Sequence, residues 1–244
     1  MRVKGRSAVR VRSVMKMPAC VLAFLLCPGG PAGAEDAKIA YPSEAPIEQY
    51  RIANASEEIE LARSAAPDSI SGNATILVLG AHGYDTAIQG KNGFVCLVER
   101  SWANEFQDGE FWNPKIRTPN CFNAAAVSSV LPSYFKRTEW AMAGVSKADM
   151  IDRYKAELST KGASSPEPGA MSYMMSKRTY INDGTGHWHP HVMFFLARVD
   201  AAAWGANAKG SPIFGGQAAE DPFTTFYVIV PAWSDGTPAA MKMP

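Results

Sequence analysis

Residues 1–34 determine how much of this chain is expected to fold, and in which compartment. Arg2, Lys4, Arg6, Arg10, Arg12 and Lys16 form a basic stretch without an acidic residue. Met17 to Cys27 is apolar, and Ala32-Gly33-Ala34 presents the small-x-small pattern that signal peptidase reads just before Glu35. This order predicts a signal peptide over 1–34, cleaved near Ala34, and a protein that matures in the periplasm or is secreted. The apolar run is about half the roughly 20 residues that a membrane-spanning helix needs, so no stable membrane anchor is expected.

Cleavage would change both the thiols and the charge. Of four cysteines, Cys20 and Cys27 leave, and Cys96 and Cys121 remain. A surviving pair in an oxidising compartment points to a disulfide, the alternative being two separate buried thiols. Of 24 basic and 23 acidic residues the signal removes six basic ones, which leaves 18 against 23, a net charge of −5. A mildly acidic surface gives nucleic acid no basic face to bind, so no nucleic-acid partner is expected. About 210 residues remain, enough for a full core in a single domain.

Pro42 and Pro46 mark 35–54 as an extended lead-in, followed by one domain over 55–244. Asn54 with Glu57 fits a helix N-cap, and Ile59, Leu61, Ala62 and Ala65 continue on one face towards Pro67. Thr75–Leu79, Tyr84–Gln89 and Phe94–Glu99 carry strand composition. The Asn92-Gly93 turn between the last two predicts a hairpin and three antiparallel strands. Residues 100–120, with Trp102, Phe106, Phe111 and Trp112, predict a long surface loop folded back over the core by its rings. Asn120 would cap a helix stopped by Pro132, and Ser146 with Asp149 a clearer one, running to about Lys161 and ended by Gly162. After the linker Gly162–Gly169, strands are expected at Ala170–Ser176, His191–Ala197 and Thr224–Val230. Strands, then helices, then strands without strict alternation predict an α+β domain. It would hold a mainly antiparallel sheet of five or six strands and two to four helices, with a PAS-like or profilin-like topology as the nearest analogy.

Three of the four histidines cluster in Gly186-His187-Trp188-His189-Pro190-His191. In an extended segment all three rings share one face, roughly 7 Å apart, and Pro190 favours that geometry for His189. Two such rings can converge on one ion at about 2.0–2.1 Å. A metal site would draw its remaining ligands from His82 and Asp183. Zinc suits these nitrogen and oxygen donors. Copper enters because Met171, Met174, Met175 and Met193 lie on the flanking strands. The plainer expectations are a core role for the methionines and a buried, backbone-bonded ring for His191, which opens an apolar strand. A metal-free general base is a further role open to these histidines. G-x-S-x-G, H-E-x-x-H, P-loop and C-x-x-C patterns are all missing.

Asn92-Gly93-Phe94-Val95-Cys96, then Cys121, then Tyr173-Met174-Met175, then Pro190-His191-Val192-Met193 resemble a group of uncharacterised small exported bacterial proteins. These show an N-G-aromatic-x-C stretch, a second cysteine, a Tyr-Met segment and a closing P-H-x-M, and no activity is known for them. The resemblance implies a shared fold and supports joining Cys96 to Cys121. It directs attention to His191, since His187 and His189 lie outside the shared pattern. The functional expectation is a non-enzymatic domain binding a small molecule or an envelope partner beside the sheet, with His191, Tyr173, Trp102 and Trp112 near the ligand. The alternative is a metal-binding protein or metal-dependent enzyme built on His187, His189 and His191.

Overall fold

Asn54 opens the first helix as its side chain predicts, its Oδ1 accepting the Ser56 amide at 2.9 Å. Helix α1 runs Ala55–Arg63, and a single turn, α2 (Asp68–Ser71), follows Pro67. Strands β1 (Thr75–Leu79), β2 (Tyr84–Ile88), β3 (Val95–Glu99) and β4 (Thr118–Phe122) precede α3 (Ala124–Ser129), α4 (Leu131–Met142) and α5 (Lys147–Lys161). Strands β5 (Met171–Met174), β6 (His191–Ala197), β7 (Ile213–Gly216) and β8 (Phe223–Ile229) follow. The computed structural model describes residues 40–161 and 165–240. The expected signal peptide, the start of the lead-in and Gly162 lie outside them.

The fold is α+β, as expected, but its sheet is larger than the composition suggested. Among the described residues eight strands lie in the order β2-β1-β3-β4-β5-β6-β8-β7, with five α-helices, three of them long. The sheet is mostly antiparallel and yet mixed, because β1 and β3 run parallel. This corrects the expected three-strand antiparallel unit. β2 and β3 flank β1 on opposite sides, so Asn92-Gly93 turns the chain without closing a hairpin. The connection passes beneath the start of β1, where the Lys91 amide donates to Asn73 O and the Gly90 amide to Thr75 Oγ1. A Cβ at Gly90 would stand 2.2 Å from the Ala74 carbonyl carbon, so only glycine lets the chain cross there.

Two further expectations change. Residues 100–120 are irregular over 104–117, exposed at Glu105, Gln107, Gly109 and Lys115 and folded over the core by their rings as expected, but they are not a loop throughout. Trp102, Phe106, Phe111 and Trp112 are buried with Tyr50, Trp140, Met150 and Tyr154, an aromatic core that joins the lead-in to α4 and α5. The end of that stretch is itself a strand, β4. The helix cap belongs to Asn123, whose Oδ1 accepts the Ala126 amide, and Pro132 sits at the start of α4 rather than ending a helix. Proline is tolerated there because the first-turn amides have no partner within the helix. Ser146 caps α5 as expected, its Oγ accepting the Asp149 amide.

Both faces of the central strands β1, β3 and β4 are covered. Ile76, Cys96, Val98 and Cys121 pack under Leu61, Ala62 and Ala65 from α1 and the residues after it. Leu97, Phe122, Met193 and Phe195 point the other way, against Ala126, Val130 and Leu131 of α3 and α4. Cys96 and Cys121 are directly opposed in the β3–β4 ladder and form a disulfide, with Cα atoms 3.9 Å apart, fully buried on the α1 side. Nearby, Arg100 Nη2 meets Glu58 Oε1 at 2.7 Å with both side chains essentially inaccessible. Arg100 Nε donates to Tyr50 O, and the Leu79 amide donates to Glu58, so this ion pair ties α1, β1 and the lead-in together. Among the described residues no helix is long and apolar enough to cross a membrane.

Candidate functional site

Side-chain alternation sets one face of the sheet towards a cleft. Glu99 pairs with Thr118 across β3–β4, Met174 with His191 across β5–β6, and Met193 with Tyr227 across β6–β8. Period-two geometry puts these residues on the α4 side. The β4–β5 ladder contains just two pairs, Cys121–Tyr173 and Phe122–Ser172. Beyond it β5 turns away, and the Met175 amide donates to Ala65 O instead of continuing the sheet. Tyr134 and Arg137 from α4, the 181–191 loop with Trp188 and His189, and Asp221 before β8 close around the end of these strands. They enclose a cleft of about 210 Å3.

Two titratable groups in this cleft depart far from their ordinary behaviour, in opposite directions. Glu99 is 6 % exposed. Burial pushes its carboxyl up to about 7, against hydrogen bonds from Asn120 and Thr118 and the nearby charge of Arg137. His191 is likewise 6 % exposed, and burial presses its imidazole down to about 4. Its Nδ1 lies 2.8 Å from the His189 carbonyl oxygen. A carbonyl can only accept, so the proton sits on Nδ1 and the lone pair on Nε2. Among the described residues Nε2 has no hydrogen-bond partner. Burial also raises the Tyr134 and Tyr227 phenols, which therefore stay neutral.

Aromatic rings and carboxylates complete the lining. The Trp188 ring lies 4.8 Å from His191 and 6.0 Å from Tyr227. Arg137 Nη2 donates to Asp221 Oδ1 at 3.1 Å, Nη1 to the Ala103 and Asn104 carbonyls, and the guanidinium lies over the Phe106 and Tyr154 rings. Asp221 Oδ1 also accepts from Tyr154 Oη. Glu105 borders the cleft, its carboxyl raised by burial and by the charges of Asp221, Asp108 and Glu220.

The expected site residues separate. His191 and His189 line the cleft. Tyr173 points to the opposite face, with its ring 6.2 Å from Phe94, because it neighbours Met174 on the strand. Trp102 and Trp112 belong to the aromatic core, Trp102 Nε1 donating to Thr138 Oγ1. His187 turns outward against Trp233. His82 is exposed on the β1–β2 turn, beside Phe135 and Glu139. Asp183 accepts from Tyr180, from Tyr41 at 2.5 Å and from Lys115 at 3.1 Å, donors that pull its carboxyl down to about 2. The four residues expected around zinc or copper thus have separate surroundings. Among the described residues no group of three His, Cys, Asp or Glu side chains is placed to hold a metal.

Glu99, Trp188, Arg137, Asp221 and Tyr227 did not emerge from the sequence as site residues. For Glu99 a signal existed: it shares the parity of Val95 and Leu97, which places a carboxyl on a core-facing row. Arg137 lies on a helix that Pro132 hid. Comparison with protein-family models, with curated proteins and with solved structures finds no match to this chain.

Proposed function

We propose that this protein is an exported, non-enzymatic binding domain that holds a small polar molecule in the cleft between Glu99, Trp188, His191 and Tyr227. The observation that carries this reading is His191, a nine-tenths-buried imidazole held by the His189 carbonyl so that its unshared Nε2 lone pair lines the cleft. Nε2 is not wholly shut off from solvent, and a hydrogen-bond donor on a ligand would pair with its lone pair. His191 itself is suited to binding rather than to proton transfer, because an imidazole pressed down to about 4 is a weak base at neutral pH. The Cys96–Cys121 disulfide supports maturation in an oxidising compartment.

Thermal-shift screening of the purified protein against amines, amino acids, sugars and nucleosides tests the reading. A ligand at a hundred times its Kd adds about 2.7 kcal/mol, a Tm rise of roughly 5–10 °C for a domain of this size. Trp188→Ala should remove the shift. A flat response to every class would overturn the proposal.

A further inference from the structure

The lining of the cleft is specific about charge. Glu99, Glu105 and Asp221 contribute three carboxyl groups, and Arg137 is the one Lys or Arg side chain among the lining residues. Arg137 is already committed to Asp221 and to the backbone of Ala103 and Asn104. Among the described residues Glu99 and Glu105 have no direct ion-pair partner, and the charge of Arg137 reaches both only from a distance. The lining offers two buried acceptor groups, the Glu99 carboxyl and His191 with its proton fixed on Nδ1, against one buried donor, Arg137 Nε, that has no partner among the described residues. Beside the two acceptors stand the rings of Trp188, Tyr227 and Tyr134, whose faces would attract a cation.

We infer that the ligand is a small organic cation carrying N–H donors, a primary ammonium or a guanidinium, bound between the Glu99 carboxylate, His191 Nε2 and the Trp188 ring. This rests on the reading of the cleft as a binding site and goes beyond it by naming the ligand class. The cation places positive charge beside Glu99, donates to His191, and lies against aromatic walls that a neutral polyol does not engage.

A proton follows from the same geometry. Without ligand, burial holds the Glu99 carboxyl at about 7, so near neutrality much of it is protonated. The groups facing it are Thr118 and Asn120 from β4, Arg137 and Tyr134 from α4, Tyr84 from β2 and Tyr227 from β8. Glu105, Asp221, His189 and His191 line the same cleft. Seating a cation favours ionised Glu99 and releases its proton. Affinity therefore increases as pH rises through 7, by about tenfold between pH 6 and pH 8, following the ionised fraction.

Titration calorimetry with 1,4-diaminobutane, its neutral isostere 1,4-butanediol, and tetramethylammonium tests this on the purified protein. The diamine should bind at least tenfold more tightly than the other two, tighten about tenfold from pH 6 to pH 8, and release a proton when buffers of different ionisation enthalpy are compared. Glu99→Gln should weaken the diamine and flatten its pH dependence, and His189→Gln should leave that dependence in place. If Glu99→Gln fails to fold, proton release by the unaltered protein decides. Equal binding of the diol, a pH-independent affinity, or a pH dependence that disappears with His189→Gln would overturn the cation inference. Tetramethylammonium matching the diamine would overturn the N–H requirement. A neutral sugar binding where the diamine does not would remove this inference and leave the binding site standing, whereas no response from any class would remove both.

Discussion

Replacing Glu99 by glutamine should alter the slope of stability against pH, and replacing His191 should alter it in the opposite sense. The Glu99 carboxyl is raised to about 7 in the folded protein from an ordinary 4.5, so the protonated form favours folding. Its contribution is fully present below the unfolded value and is lost as pH rises through the folded one. His191 is lowered to about 4 from 6.5. The unfolded chain takes up that proton first, so stability is lost as pH falls from 6.5 towards 4. Each tenfold change in proton affinity on folding corresponds to about 1.4 kcal/mol, and the two groups are therefore worth about 3 kcal/mol each with opposite sign. Between pH 4.5 and 6.5 the two slopes largely cancel in the unaltered protein. Glu99→Gln, measured against the unaltered protein, should gain about 3 kcal/mol between pH 4.5 and pH 7. His191→Gln should gain a similar amount between pH 6.5 and pH 4. Glu44, which burial also raises to about 7, is present in both partners of each comparison and drops out of the difference. Urea midpoints at half-unit pH steps, with the denaturant slope held constant, supply the curves. Difference curves flat to within about 0.5 kcal/mol would refute the burial argument for both residues.

Reduction of Cys96–Cys121, or the double change to serine, opens a loop of 25 residues. It should cost about 3 kcal/mol in the chain-entropy model, read as a Tm lowered by roughly 6–12 °C; an unchanged Tm would sink this expectation. Glu58→Ala leaves the Arg100 guanidinium buried without its carboxylate and should cost about 3–5 kcal/mol in urea unfolding. The double variant Glu58→Met/Arg100→Met should recover most of that loss, and a double variant as unstable as the single one would contradict it.

How far the fold could be read depended on how local each signal was. Asn54 and Ser146 cap their helices through amides two or three residues away, so their side chains were sufficient to announce α1 and α5. Strand β6 begins and ends where its composition placed it. Strand β4 was hidden by Pro119, a residue that argues against a central strand. The proline is accommodated because the β4–β5 ladder covers only Cys121 and Phe122, which leaves Pro119 without a neighbour on that side. Helix α4 was hidden by Pro132 for a related reason, since its position in the first turn removes the usual cost. The metal reading of the histidine cluster relied on an extended segment, whereas the chain enters β6 only at His191.

The amino-acid order by itself determined the caps, most of the strand-forming runs, and a cysteine pair available to join, because each depends on neighbours close in the chain or on simple composition. It also singled out His191. What only the tertiary structure decided is which side of β1 the third strand takes, and which residues share the cleft with that histidine. Glu99, Arg137, His191 and Asp221 come from four distant segments. Their charges and open hydrogen-bond positions are set by the water each excludes from the others, a property that no stretch of the chain possesses until all of them are packed together.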